Sequence, residues 1–231
     1  MIFGKKRDGR ENSLTTIIDG TQIEIITQTK FLGIVLDNGL TWKNHLLYLS
    51  QKLSKSIGIL SRARRFLNKK TLLQLYYSFL YPYITYCNII WGNAPDYVLW
   101  PIFRAQKRAI RIIANIRQRD STKTAFHLLH ILRLPDIYVF SVLIFVYKYK
   151  NGLLPDPFKE FYMTNSQVHR YPTRKANQLR VPLTKTKMAS SFVKNTGGNI
   201  WNNFGDTITQ DMRIGALKRA IIGKLTSSYL S

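Results

Sequence analysis

A chain of 231 residues with 45% hydrophobic content holds enough apolar mass to bury a core, which argues against disorder and allows one large or two small domains. Its 35 Lys+Arg against 12 Asp+Glu leave a formal net charge of +23, far beyond what solubility needs, and the natural counterpart of that excess is a polyanion such as nucleic acid. Cys87 is the only cysteine, which excludes an intrachain disulfide framework.

In chain order, Leu14 to Ile18 and Gln22 to Ile26 flank Asp19-Gly20, a dipeptide that favours a type I′ hairpin turn. Phe31, Leu32, Ile34, Val35 and Leu36 form an apolar run of strand length, expected to pair beside that hairpin. Within the run, Gly33 leaves one backbone position open to close approach. Asp37-Asn38-Gly39 is a turn cluster, and Thr41 is the expected N-cap of the helix that follows. Three strands with so little apolar mass read as the edge of a larger sheet.

From Thr41 to Leu67 the pattern turns helical. Leu46, Leu49, Leu53, Ile57, Leu60 and Leu67 recur at spacings of three, four and seven, which gives one apolar stripe. Trp42 and His45 are expected to pack the preceding strand onto this helix. Asn68 suits the cap of a second helix running to about Tyr81, where Pro82 forces a kink or a stop. Trp91 to Pro95 reads as a turn, and Pro95 suits the start of a third helix, in which Leu99, Ile102, Gln106, Ile110 and Ile113 share a face.

Ser121 is placed to cap a short helix through Leu129. Pro135 then opens a helix from Asp136 to about Lys150 that is apolar nearly all round, which implies burial, and Asn151-Gly152 ends it. The Leu153-Leu154-Pro155-Asp156-Pro157 linker is the expected domain boundary. Residues 158–210 read as irregular with a strand-like piece from Leu179 to Leu183. A last amphipathic helix, from about Asp211 to Leu230, carries Ile214, Leu217, Ile221 and Leu225 on one face. The fold class is therefore mainly α, with N-terminal antiparallel strands over 1–37, a helical bundle over 38–152 and a basic region over 153–231 that ends in a helix.

The charge is concentrated where the helices are. Residues 1–37 carry five basic and five acidic groups, residues 38–134 carry 16 and two, and residues 135–231 carry 14 and five. Lys55, Arg62 and Arg65 project from the far side of the first helix. Arg104, Arg108 and Arg111 stand at i, i+4 and i+7 on the polar side of the third. With almost no acids interleaved, these faces read as phosphate contacts rather than as a salt-bridged surface.

Other chemistries find little support. Phosphoryl transfer by two metals needs clustered carboxylates, and there is no Asp-Asp pair in the chain. No catalytic residue is expected, nor a metal site, since His127 and His130 at i, i+3 lack a supporting Cys or carboxylate cluster. Leu72 to Trp91 runs twenty positions without a charge, but Gln74, Asn88, Pro82 and five tyrosines suit a buried helix better than a lipid-facing one. The first residues, Met1 to Asp8, hold no apolar run of signal-peptide length.

Lys30-Phe31-Leu32-Gly33-Ile34-Val35-Leu36-Asp37-Asn38-Gly39-Leu40-Thr41-Trp42-Lys43-Asn44-His45 resembles the segment after the polymerase active site in reverse transcriptases of non-LTR (LINE-type, jockey-like) retrotransposons. The resemblance continues, in order, through Gly58-Ile59-Leu60, Leu75-Tyr76, Pro82 to Cys87, Trp91-Gly92 and Gln106 to Ala109. It returns at Val168 to Arg174, at Ser191-Phe192 and at Trp201-Asn202. It implies that Phe31, Leu32 and Gly33 lie in a primer-grip hairpin, that residues 1–37 are a palm remnant, and that the helices form a thumb. His169, Tyr171 and Arg174 would alternate on an extended strand, as a strip for base stacking and phosphate contact or as a tie holding the tail to the thumb.

The resemblance further implies an intracellular RNA-directed DNA polymerase, in nucleus or cytoplasm, whose catalytic aspartates precede this segment. Mg²⁺ is expected only in the missing palm, and this chain alone needs no cofactor. The partners implied are an RNA or DNA template–primer and the palm and fingers of the same polyprotein, with no membrane. Two alternatives remain at this level: a host protein derived from such an element that binds nucleic acid, and a helical bundle used for structure or protein interaction.

Overall fold

The computed structural model describes residues 16–168, 174–204 and 212–230, together with Met1. Asp19 and Gly20 take φ of 49° and 74°, and β1 (Thr16–Ile18) pairs antiparallel with β2 (Thr21–Ile23) across them. Positive φ at both central positions is what a type I′ turn requires, so the Asp-Gly dipeptide forms the expected turn. Residues 14 and 15 lie outside the described ones.

The apolar run from Phe31 to Leu36 is not one strand. It folds back on itself as β3 (Gln28–Phe31) and β4 (Ile34–Asp37), joined at Leu32 and Gly33 with φ of 45° and 82°. Leu32-Gly33 thus repeats the geometry of Asp19-Gly20, and the two hairpins form separate two-stranded sheets rather than one. The reason is Gly33, which makes a left-handed turn residue available in mid-run. Only β4 is buried: Ile34 and Val35 pack on the first helix, while Phe31 and Leu32 stay exposed.

Helix α1 runs over Lys43–Ala63 and is entered through Trp42 at φ 63°, without a side-chain cap. Thr41 is therefore not the cap. The Asp37 carboxylate organises the entry instead, accepting from the backbone of Gly39 at 3.1 Å, Thr41 at 3.0 Å and Trp42 at 3.3 Å. The stripe Leu46, Leu49, Leu53, Ile57 and Leu60 is buried as the periodicity requires, whereas Leu67, beyond the helix end, is exposed. Each of those five side chains contributes about 1.5–3 kcal/mol by leaving water.

Asn68 caps α2 (Lys69–Phe79), its side chain accepting from the Thr71 backbone at 2.9 Å. Pro82 sits in the first turn of the short α3 (Tyr81–Thr85), where its missing N–H costs nothing. Cys87, at φ 49°, turns the chain into α4 (Asn88–Trp91). The uncharged stretch from Leu72 to Trp91 is thus three helices, and Tyr76, Leu80, Ile84 and Trp91 lie in the core. Among the described residues no helix is long and apolar enough to cross a membrane.

Helix α5 (Asp96–Ala114) follows Pro95 and packs chiefly on α1. Its expected inner face, Leu99, Ile102, Gln106, Ile110 and Ile113, is buried throughout. Helix α6 (Lys123–Leu128) begins after Thr122, with no capping bond from that side chain. Ser121 Oγ accepts from the Lys123 backbone at 3.3 Å.

Helix α7 (Leu134–Lys150) occupies the middle of the molecule, against α4, α5 and two later helices. No residue from Asp136 to Lys150 is exposed, which matches its apolar circumference. Gly152 at φ 64° ends it.

Beyond a 3-10 turn at Asp156–Phe158, the described residues up to 192 are irregular as expected apart from two short helices, and the expectation fails at the helix that follows. After the short α8 (Asn165–Val168) and α9 (Lys187–Ser191) comes α10 (Val193–Phe204), a helix of 12 residues packed on α7. Its Gly197-Gly198 and four asparagines hide it from propensity. The glycines are there for contact: a Cβ on Gly197 would stand 1.9 Å from the Tyr162 hydroxyl, and one on Gly198 3.2 Å from Val181. Leu179 makes only an isolated bridge with Thr164.

Helix α11 (Ile214–Ser227) packs on α6 and α7 through Leu217 and Ile221, with Ile214 exposed at its start. Tyr229 then anchors the tail: its hydroxyl donates to Asp136 at 2.7 Å and accepts from the Arg133 backbone at 3.1 Å. The structure is thus mainly α-helical, with a short N-terminal region of antiparallel hairpins.

Candidate nucleic-acid interface

Where α1 and α5 pack together, the side chains along one margin are small. Ser50, Ser54 and Ser61 on α1 face Pro101 and Ala105 on α5, and the missing bulk leaves a trough of about 910 Å³ floored by Ile57 and Ile112. Five cations line it: Arg64 from the end of α1, and Arg104, Lys107, Arg108 and Arg111 from α5. Among the described residues no aspartate or glutamate lines it. Cations so crowded raise one another's free energy unless an anion sits among them.

The cations differ in freedom. Arg104 and Arg108 are exposed. Arg111 is half-buried, its Nη2 donating to the Asp120 carbonyl at 3.0 Å while its buried Nε has no partner among the described residues. Lys107 rests its ammonium 4.9 Å over the Trp100 ring and 4.1 Å over that of Phe103. Burial lowers its pKa below the ordinary lysine value, and the charges of Arg111 and Arg133 lower it further. Trp100 itself remains 50% exposed at the mouth of the trough.

The structure therefore gathers Arg104, Arg108 and Arg111 into one site but leaves the other arginine set outside it. Lys55 and Arg62 are exposed on α1, each displaced about 100° round the helix from the trough-lining Ser54 and Ser61 that precede them. Arg65 lies beyond the helix end and is also exposed. Arg64, Lys107, Trp100 and the three serines went unnoticed in the sequence. Their signal was present: Ser50, Ser54 and Ser61 recur at i, i+4 and i+11 beside the leucine stripe.

Phe31, Leu32 and Gly33 take no part in the trough. The Tyr86 hydroxyl donates to the Leu32 carbonyl at 2.7 Å and so ties the hairpin tip to the chain after α3. Gly33 serves the turn, and within the described residues a Cβ there would meet Tyr86 Cε1 at an ordinary 3.6 Å. His169 and Tyr171 lie outside the described residues, and Arg174 is exposed in a turn.

His127 Nδ1 is bonded to the Thr226 carbonyl at 3.0 Å, a tertiary contact between α6 and α11. Among the described residues no group of three His, Cys, Asp or Glu side chains could hold a metal. Asn202 also has a packing role: its amide brackets Leu179, accepting from the backbone N–H at 3.1 Å and donating to the carbonyl at 2.8 Å. An amide that pairs both backbone groups replaces a neighbouring strand. Trp201 is half-buried beside it, with the Lys150 ammonium 5.6 Å over its ring.

Comparison of the chain with protein-family models, curated proteins and solved structures finds no match.

Proposed function

We propose that this chain binds nucleic acid through its phosphates along the α1–α5 trough, as the C-terminal part of a non-LTR retrotransposon reverse transcriptase. The observation that carries the binding is the trough itself, lined among the described residues by five cations, three hydroxyl-bearing side chains and no carboxylate. Lys and Arg that neutralise phosphates release condensed counterions, so such a surface binds tightly at low salt and reads little sequence.

The family reading is supported by the ordered motifs from Phe31-Leu32-Gly33 to Trp201-Asn202. On it, the two hairpins are a palm remnant, the helices are a thumb, and the ligand is an RNA or DNA template–primer held inside the cell. Catalysis would belong to the palm and fingers of the same polyprotein, which bring the paired aspartates and Mg²⁺. With no Asp-Asp pair, the chain by itself extends no primer.

The test is salt titration of binding to a template–primer with a single-stranded overhang. Wild-type affinity falls steeply as salt rises. The triple variant Arg104→Glu, Arg108→Glu, Arg111→Glu binds weakly and flattens the log–log salt slope by about two to three. Lys55→Glu, Arg62→Glu, Arg65→Glu, outside the trough, costs less. Unchanged affinity in the first triple variant, with circular dichroism intact, sinks the assignment.

A further inference from the structure

We infer that the trough takes a single strand of RNA or DNA, with its backbone laid between α1 and α5 and a base stacked on Trp100. This rests on the phosphate-binding reading and adds to it the form of the ligand. The trough's volume of about 910 Å³ is that of a pocket for a small ligand, so it admits one sugar–phosphate backbone and not a double helix. A double helix, whose major groove alone is about 12 Å wide, rests on the rim and reaches few of the inner groups. Ser50 and Ser61 are half-buried and the Nε of Arg111 is buried, so a ligand thin enough to enter reaches them more readily than a double helix does.

The second observation is the aromatic ring at the mouth. An indole beside a polyelectrolyte groove has a specific use, because every base presents a flat face to stack on it. Lys107 is held against Trp100 and Phe103, yet half of the Trp100 surface stays open. From Trp100 to Arg111 the helix rises roughly 16 Å, the length of about five stacked nucleotides. Arg104, Arg108 and Arg111 mark that path at steps of about 6 Å and then about 4.5 Å along the axis. On a template–primer, the strand that fits is the unpaired overhang.

The experiment titrates the full chain with oligodeoxyuridylate, with oligouridylate and with a blunt duplex of equal phosphate count, reading anisotropy and tryptophan emission. The single strands bind about ten-fold tighter than the duplex and quench emission. A preference between the two oligonucleotides reports whether the 2′-hydroxyl reaches the serines. Trp100→Leu keeps the fold, loses the quenching and loses about ten-fold in affinity for single strands. Ser54→Leu, which fills the trough without changing charge, lowers single-strand affinity several-fold more than duplex affinity.

Equal affinity for duplex and single strand, or wild-type affinity in both Trp100→Leu and Ser54→Leu, overturns the inference. The Arg104, Arg108, Arg111 charge reversal separates the two levels. If it still weakens binding, only the single-strand assignment falls, and if it does not, phosphate binding falls with it.

Discussion

The Gln106 side chain donates to the Tyr76 hydroxyl at 3.1 Å in the fully buried space between α2 and α5. The same amide donates to the Leu132 carbonyl at 2.9 Å and accepts from the Leu134 backbone at 2.9 Å. One polar residue on an apolar face thereby joins α2, α5 and the first residue of α7. Every polar atom of its side chain that packing could orphan has a partner, which is the condition under which a buried amide is tolerated.

Gln106→Leu keeps the volume and strands the Leu132 carbonyl, the Leu134 N–H and the Tyr76 hydroxyl without partners. Unpaired buried groups cost about 1–3 kcal/mol each, so the variant loses about 3 kcal/mol or more. Urea denaturation followed by circular dichroism measures it. A loss within about 0.5 kcal/mol would mean that water reaches these groups.

Gly197→Ala places a methyl against the Tyr162 hydroxyl, which already donates to the Val193 carbonyl at 2.7 Å. Overpacking of this kind costs about 1–3 kcal/mol. Adding Tyr162→Phe removes the nearest atom, so the double variant is more stable than the sum of the single losses predicts. Strict additivity would show that α10 shifts as a body instead of clashing.

His45 gives the protein a pH dependence of known sign. The ring is 1% exposed, and its Nδ1 accepts from the Val35 backbone at 3.4 Å, which pins β4 to α1. Burial lowers its pKa from 6.5 to about 4. Between those values the unfolded chain takes up a proton that the folded one refuses. Stability is therefore unaffected above pH 6.5 and falls as pH drops towards 4, by about 3 kcal/mol in all. His45→Gln, whose amide can still accept from Val35, removes this component of the slope in thermal melts between pH 4 and 7. An unchanged slope would place the titration elsewhere.

Local signals and packing divide the molecule between them. The Asp19-Gly20 turn, the Asn68 cap, the leucine stripe of α1, the inner face of α5 and the all-round apolar α7 follow from chemistry within a few residues, and all are legible in the chain. Helix α10 is not, because Gly197 and Gly198 lower helix propensity while serving contacts with Tyr162 and Val181 that lie many residues away. Trp42 at positive φ instead of a Thr41 cap is a similar case, decided by the Asp37 carboxylate that gathers the preceding backbone N–H groups.

The sequence by itself determined that the protein is basic, mainly helical and equipped with arginines on the outer face of α5, since charge and 3.6-residue periodicity are one-dimensional properties. Which cations act together was decided only by the tertiary structure. Arg64 and Arg62 are two residues apart, yet only Arg64 enters the trough beside Arg104, Lys107, Arg108 and Arg111. The trough exists because small side chains on two helices meet across their contact. A helix wheel shows which way a residue points from its own axis, and the electrostatic site depends on where the second axis lies.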